Sequence, residues 1–315
     1  MTHIALLGAG FSRNWGGWLA PEVLGELLGR ASQDREIYAK LRRTRNFEDA
    51  LAELQAEART QGTSESRARL ESFERAVQAT FADMNGVFAG FPGWSLSDDA
   101  RDSIDAFLAR FDAIFTLNQD LLLELHYRTE LVGPRRWAGV AFPGMLSPAN
   151  WHNLLPAEKL IQSWRPGGDF GSADHSQPIF KLHGSTNWHD PEGNRLMVMG
   201  GTKSQAIDQH PVLRRYLDIF RERLSTGQTK LMAIGYSFSD SHINDLIVEA
   251  GQQHSLKLHL VNPAGLEVFR RYPVNAIQGP NPLDEIPLVG VTVRSLRESF
   301  SGDKLSQQSL FRFFE

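Results

Sequence analysis

His3-Ile4-Ala5-Leu6-Leu7 runs directly into Gly8-Ala9-Gly10-Phe11-Ser12. A short apolar run that ends in small residues is the pattern of a strand buried on both faces, turning into a helix start. The pattern recurs along the chain. Asp112–Leu117 ends in Asn118-Gln119-Asp120, and Pro178–Leu182 ends in His183-Gly184-Ser185. Lys230–Ile234 ends in Gly235-Tyr236-Ser237, Leu256–Val261 ends in Asn262-Pro263, and a last weak run lies at Val291–Val293. Helical patterns separate these runs, so the expected fold class is α/β, a parallel sheet covered by helices. Each polar punctuation then falls at the carboxyl end of a strand, the edge where open α/β sheets bind their ligands.

The interval between Gly10 and Phe111 is about 100 residues, far more than one crossover needs. Phe47, Leu51, Leu54 and Ala58 fall on one helical face, and Leu70, Phe73, Val77, Phe81, Met84 and Phe88 make a second stripe. The polar stretch Thr60–Ser66 separates them, and Asp102–Phe111 reads as a third helix feeding the second strand. Residues 21–93 therefore read as a helical module, inserted in or packed beside a main domain of residues 1–20 and 94–315. Gly133–Gln177 is rich in Pro and Trp, which is loop chemistry with bulky anchors. It either covers a pocket beside the strand ends or packs as an ordinary loop. The apolar end Leu310-Phe311-Arg312-Phe313-Phe314 must dock on this chain or on a partner.

Composition narrows the function. The 315 residues carry 33 Lys plus Arg against 37 Asp plus Glu, a formal charge of −4. That balance argues against direct nucleic-acid binding, which shows as a basic excess. The chain has no Cys, which excludes disulfides, thiol catalysis and every Cys-ligated metal site. No stretch approaches the length of a membrane span, and Met1-Thr2-His3 lacks the basic start of a signal peptide, so the expected location is cytoplasmic.

The strand ends carry the candidate chemistry. Gly8-Ala9-Gly10-Phe11-Ser12 suits close backbone approach to a pyrophosphate at a helix start, or a tight structural turn. The third glycine of a G-x-G-x-x-G is replaced by Arg13, and no G-x-x-x-x-G-K-[ST] occurs, which excludes a P-loop ATPase. Asn118 and Asp120 are placed to touch a ribose or order a water, although Asp120 could simply cap the following helix. His183 sits where a proton can be exchanged near neutrality, or it is structural. Asp240 reads as a cap for a helix over Ile243–Ala250.

Taken in order, G-A-G-F-S, T-x-N-x-D, L-H-G-S, G-Y-S-F-S-D-x-H-I-N and V-N-P resemble the sirtuin-type NAD-binding domain, and in particular the sirtuin-like effectors of bacterial anti-phage defence. The resemblance spans residues 4 to about 263. It implies a Rossmann-like parallel sheet with helices on both faces. It also implies that Gly8, Ala9, Gly10, Phe11 and Ser12 line a pyrophosphate site. Asn118 and Asp120 would bind the nicotinamide ribose and order the attacking group, and His183 would be the catalytic histidine. Gly235 and Ser237 would contact the phosphate–ribose region, and Asn262 the adenine ribose.

The departures matter equally. Deacylase sirtuins carry a four-cysteine zinc ribbon after the catalytic His, whereas Ser185–Thr229 has no Cys and ends in a helical pattern at Pro211–Leu224. Without that ribbon, the cleft for an acyl-lysine peptide loses a wall. The resemblance therefore implies a NAD⁺ glycohydrolase that takes NAD as substrate, releases nicotinamide and ADP-ribose, and needs no metal. An NAD-dependent protein deacylase and a non-catalytic NAD or ADP-ribose sensor are the alternatives. Retention of both Asn118 and His183 argues against the sensor. A constantly active NADase would be lethal, so gating by homo-oligomerisation or by a separately encoded HerA-type hexameric ATPase is expected.

Overall fold

A computed structural model describes residues 1–91, 93–96, 103–129, 136–171, 175–200, 203–272 and 280–315. The strands in chain order are β1 (Thr2–Leu7), β2 (Ala113–Thr116), β3 (Gly139–Ala141), β4 (Met145–Leu146), β5 (Arg165–Pro166), β6 (Ser176–Lys181), β7 (Gly184–His189), β8 (Arg195–Met197), β9 (Thr229–Ile234), β10 (Lys257–Val261) and β11 (Leu288–Thr292). Seven of them form one sheet in the order β11-β10-β9-β1-β2-β6-β3, with every neighbouring pair parallel. Two small antiparallel pairs, β4–β5 and β7–β8, stand apart from it. The protein is thus an α/β, Rossmann-like molecule, and a cysteine-free chain holds no zinc ribbon.

The central strands contain the unbroken apolar runs. Ile4–Leu7, Ala113–Thr116 and Thr229–Ile234 are buried throughout, because helices cover both faces of a parallel sheet. Leu288, Val289 and Val291 on β11 are exposed, as expected at a sheet edge. That edge position explains why its signal in the sequence is weak.

The helices in order are α1 (Ala9–Ser12), α2 (Ala20–Arg30), α3 (Arg35–Thr44), α4 (Phe47–Gln61), α5 (Ser64–Gly90), α6 (Ile104–Leu108), α7 (Leu122–His126), α8 (Pro156–Lys159), α9 (Lys203–Gln209), α10 (Pro211–Leu224), α11 (Ser241–His254), α12 (Leu296–Phe300) and α13 (Lys304–Arg312). Asp34, Asn46 and Thr63 cap α3, α4 and α5 by accepting first-turn N–H groups, and Pro211 opens α10. The polar stretch between the two hydrophobic stripes is more helical than expected, since only Gly62 and Thr63 separate α4 from α5. Helix α6 is shorter than the expected Asp102–Phe111; Ser103 caps it, and Asp102 lies outside the described residues. The buried faces of α2–α5 join the same hydrophobic core as the sheet.

The stretch from 133 to 177, expected as loop, also carries β3, which joins the main sheet, the β4–β5 pair and α8, and none of its described residues lines the cavity at the strand ends; residues 133–135 and 172–174 lie outside the described residues. Its Trp151 and Trp164 stack edge-to-face at 5.1 Å, and Trp164 bridges to Trp188. The carboxyl-terminal phenylalanines dock on this chain. Phe313 meets His3 and Phe111, Phe314 meets Phe107, and Lys230 Nζ donates to the Phe313 carbonyl at 3.0 Å. Among the described residues, no helix is long and apolar enough to cross a membrane.

Candidate active site

After β1 the chain builds β2, β6 and β3 on one side, while β9, β10 and β11 lie on the other. The strand order reverses between β1 and β9, and a cavity of about 990 Å³ opens there at the carboxyl ends. Such a reversal leaves a crevice, because the loops leaving the two strands diverge. The cavity is lined by Gly8, Ala9, Gly10, Asn118, Asp120, His183, Gly235, Ser237 and Asn262. Five separate strand ends therefore converge on one space. Its roof comes from the helical segment, through Pro21, Phe47, Phe81 and Met84 among others.

The loops after β1 and β9 touch backbone to backbone. The Gly10 N–H donates to the Gly235 carbonyl at 2.9 Å, and Gly235 adopts φ of +62°. A Cβ on Gly235 would lie 2.3 Å from the Gly10 carbonyl carbon, and one on Gly8 would lie 2.6 Å from the Gly235 carbonyl oxygen. These glycines are required by the contact between loops, in addition to facing the cavity. Phe11 and Ser12 do not line it. Phe11 is buried against Trp15, at 5.1 Å between ring centroids.

Ser12 acts from behind the wall. Its hydroxyl donates to Asp120 Oδ2 at 2.7 Å and accepts from Asn118 Nδ2 at 3.0 Å. Asn118 Nδ2 also donates to the Gly8 carbonyl at 3.0 Å. Pinned through its nitrogen, the amide leaves Oδ1 as the acceptor. Asp120 accepts the Leu122 N–H with its other oxygen at 3.0 Å, so it does support the start of α7. Both of its oxygens thus hold protein groups, and Asp120 positions Asn118 through Ser12.

Beneath this loop lies an ion pair that sequence reasoning did not single out. Lys181 Nζ meets Glu124 Oε1 at 2.6 Å and the Asp120 carbonyl at 2.5 Å, with both side chains buried. Lys181 ends β6, and its charge lies between the loop and the sheet, where only a fixed geometry offsets desolvation.

His183 lies two residues beyond Lys181, which pairs with Thr116 across the β2–β6 ladder; Asn118 lies two residues beyond Thr116. Adjacent strands run about 4.8 Å apart, so this register puts the two residues just past the carboxyl ends of neighbouring strands, and both line the cavity. His183 is buried, and burial pushes its imidazole down to about 3, against a partial pull upward from Asp240. It is neutral at physiological pH. Gly184 follows with φ of +74°, and a Cβ there would meet the Leu196 carbonyl oxygen at 2.0 Å. Only glycine lets the β7–β8 hairpin close directly behind the histidine.

The loop after β9 adds residues with unforeseen roles. Asp240 occupies the position before α11, yet its side chain makes no capping bond. Its carboxylate instead meets Lys203 Nζ at 2.7 Å, and Lys203 also meets Glu48 at 2.8 Å. Burial opposes the Lys203 charge, but the two carboxylates prevail and raise its pKa. Burial likewise pushes the Asp240 carboxyl up, and the Lys203 ammonium bonded to it pulls it below its ordinary value. His242 Nε2 faces His183 Nε2 at 3.0 Å. The buried Asn244 locks the loop by accepting from Tyr236 Oη at 2.8 Å and donating to the Phe238 carbonyl at 2.9 Å. Asn262 spans two strand ends, donating to the Tyr236 carbonyl at 3.1 Å and accepting the Ala264 N–H at 2.9 Å.

Fold and site together define an α/β protein with a large cavity at its topological switch point, a buried neutral histidine and a pinned asparagine. Residues 112–264 match the family model described as SIR2-like domain, which supports a sirtuin-like domain over that stretch. The match takes in the strand ends of Asn118, His183, Gly235 and Asn262; the glycine loop and the helical segment precede it. SIR2-like domains are commonly NAD-dependent enzymes. No curated protein matches the chain.

Proposed function

We propose that the protein is a NAD⁺ glycohydrolase that cleaves NAD⁺ to nicotinamide and ADP-ribose. The observation that carries this reading is the convergence of Asn118 and His183 on one cavity at the sheet's switch point, large enough for a dinucleotide. The nicotinamide of NAD⁺ leaves as a neutral molecule and needs little acid help. The site must then stabilise an oxocarbenium-like ribose and aim a water at the anomeric carbon. Asn118 Oδ1 holds that water. Neutral His183 accepts a hydrogen bond from a ribose hydroxyl, a role its low proton affinity suits better than full proton abstraction. Asp120 keeps Asn118 oriented and adds negative charge near the developing cation. Gly8, Ala9, Gly10, Gly235 and Ser237 face the pyrophosphate and ribose, and Asn262 shapes the adenosine end.

The resemblance to anti-phage effectors supports a role in NAD depletion during abortive infection, gated by homo-oligomerisation or a HerA-type ATPase. A protein deacylase is the second reading; the lack of a zinc ribbon disfavours it. The test is incubation of the purified chain with NAD⁺, with and without the candidate ATPase, following nicotinamide and ADP-ribose by chromatography. Asn118→Ala and His183→Ala should each lower the rate at least about 100-fold in protein that remains folded and still binds NAD⁺. Wild-type rates in both variants, or nicotinamide release that depends on an acylated peptide, would overturn the reading.

A further inference from the structure

Among the described residues, His183, Asp240 and His242 are one cluster whose potential ligand atoms all lie within 4.8 Å of one another. The imidazoles meet nitrogen to nitrogen, at 3.0 Å between Nε2 atoms. A zinc ion bound tetrahedrally at about 2.05 Å separates two ligand nitrogens by about 3.3 Å, so the pair needs to open by only a few tenths of an ångström. Asp240 must turn toward them, and it is free of the obligation that would stop it. An aspartate in its position normally caps the helix, yet this one makes no capping bond. Its Oδ1 holds Lys203, which leaves the second oxygen to ligate.

Charge favours a cation here. Lys203 would repel one, but Glu48 meets Lys203 on its other side at 2.8 Å. Two carboxylates and one ammonium leave a net charge of about −1 facing two neutral imidazoles. Two histidines and a carboxylate are a donor set that zinc takes, with a fourth position open to the cavity.

From this geometry we infer that His183, Asp240 and His242 form a binding site for a zinc-class divalent ion, and that occupation of the site blocks the chemistry assigned to His183. The metal takes the Nε2 lone pair of His183, so that atom can no longer accept from a ribose hydroxyl. Binding stands on geometry alone; only the inhibitory consequence rests on the NAD⁺ hydrolase reading.

The test uses the untagged full chain, stripped with chelator and titrated with cobalt(II) in the absence of NAD⁺. Because the chain has no Cys, a stoichiometric site must use imidazole and carboxylate donors. One cobalt per chain with tetrahedral visible bands, displaced by zinc, is expected. His242→Ala and Asp240→Asn should each weaken binding at least about tenfold in protein that remains folded by circular dichroism. Absence of a stoichiometric site, or affinity unchanged in both variants, would refute the site. In parallel, zinc at saturating occupancy should suppress NAD⁺ consumption at least about tenfold in the parent, with recovery on chelation. Full NAD⁺ consumption at saturating zinc would refute the inhibitory role. A metal-free chain that never consumes NAD⁺ would instead count against the hydrolase reading and leave the cobalt result standing.

Discussion

At the scale of single residues, the site is built by side chains that hold one another. Asn118 is oriented through Ser12 and Asp120, and Asp240 is oriented through Lys203. Lys203 is the most consequential of these holding groups. Its side chain is 13 % exposed and contacts two carboxylates, so replacing it strands two negative charges in a poorly solvated space. Lys203→Met should destabilise the fold by about 3 kcal/mol at neutral pH, measured by chemical denaturation. The loss should shrink as pH falls, because the stranded carboxylates take up protons. An unchanged denaturation midpoint would show that water reaches these groups freely.

At the scale of elements, the helical segment and the sheet are coupled by Asn85 on α5. Its Nδ2 donates to Thr186 Oγ1 at 3.0 Å, and its Oδ1 accepts the Leu121 N–H at 2.9 Å, in the loop that carries Asn118 and Asp120. Asn85 is buried, so neither partner can turn to water when it is removed. Asn85→Ala should cost about 1–3 kcal/mol, read from the denaturation midpoint. It should also slow NAD⁺ turnover, because the Asn118 loop loses its tether to α5. Turnover that persists at the parent rate in a destabilised variant would confine Asn85 to a packing role. The hydrophobic stripes of α4 and α5 were readable from their spacing. That their ends would roof the cavity was not, since spacing defines a buried face and not the element it meets.

At the scale of the whole molecule, the carboxyl-terminal end closes the sheet beside β1 and β10. His259 on β10 lies against Phe313, at 5.8 Å between centroids, and its Nε2 meets Thr292 Oγ1 at 3.1 Å. Burial lowers its pKa to about 4. The unfolded chain therefore binds a proton at His259 near pH 6.5, where the folded chain does not. Stability from this group is fully present above about pH 6.5 and is lost as pH falls toward 4, at up to about 1.4 kcal/mol per pH unit. His259→Leu should flatten the stability–pH slope between pH 6 and 4.5 by close to one proton. Equal slopes for parent and variant would show that His259 titrates normally in the folded state.

The sequence alone determined the order of buried strands, the parallel α/β class and the placement of polar residues at strand ends. Continuous apolar runs such as Ile4–Leu7 and Lys230–Ile234, punctuated by Gly, Asn or His, leave little choice when every turn must lie at the sheet edge. The same logic placed Asn118, His183, Gly235 and Asn262 on one edge. It could not separate residues that face the cavity from residues that hold them, so Phe11 and Ser12 read like their neighbours although they lie behind the wall. Nor could it anticipate partners distant in the chain. Glu48, Lys203 and Asp240 meet across some 190 residues, and His183 meets His242 across 59. Asp240 shows the physical reason most directly. Local rules make it a helix cap, but a buried lysine brought up only by folding competes for its charge more strongly than the first-turn N–H groups of α11.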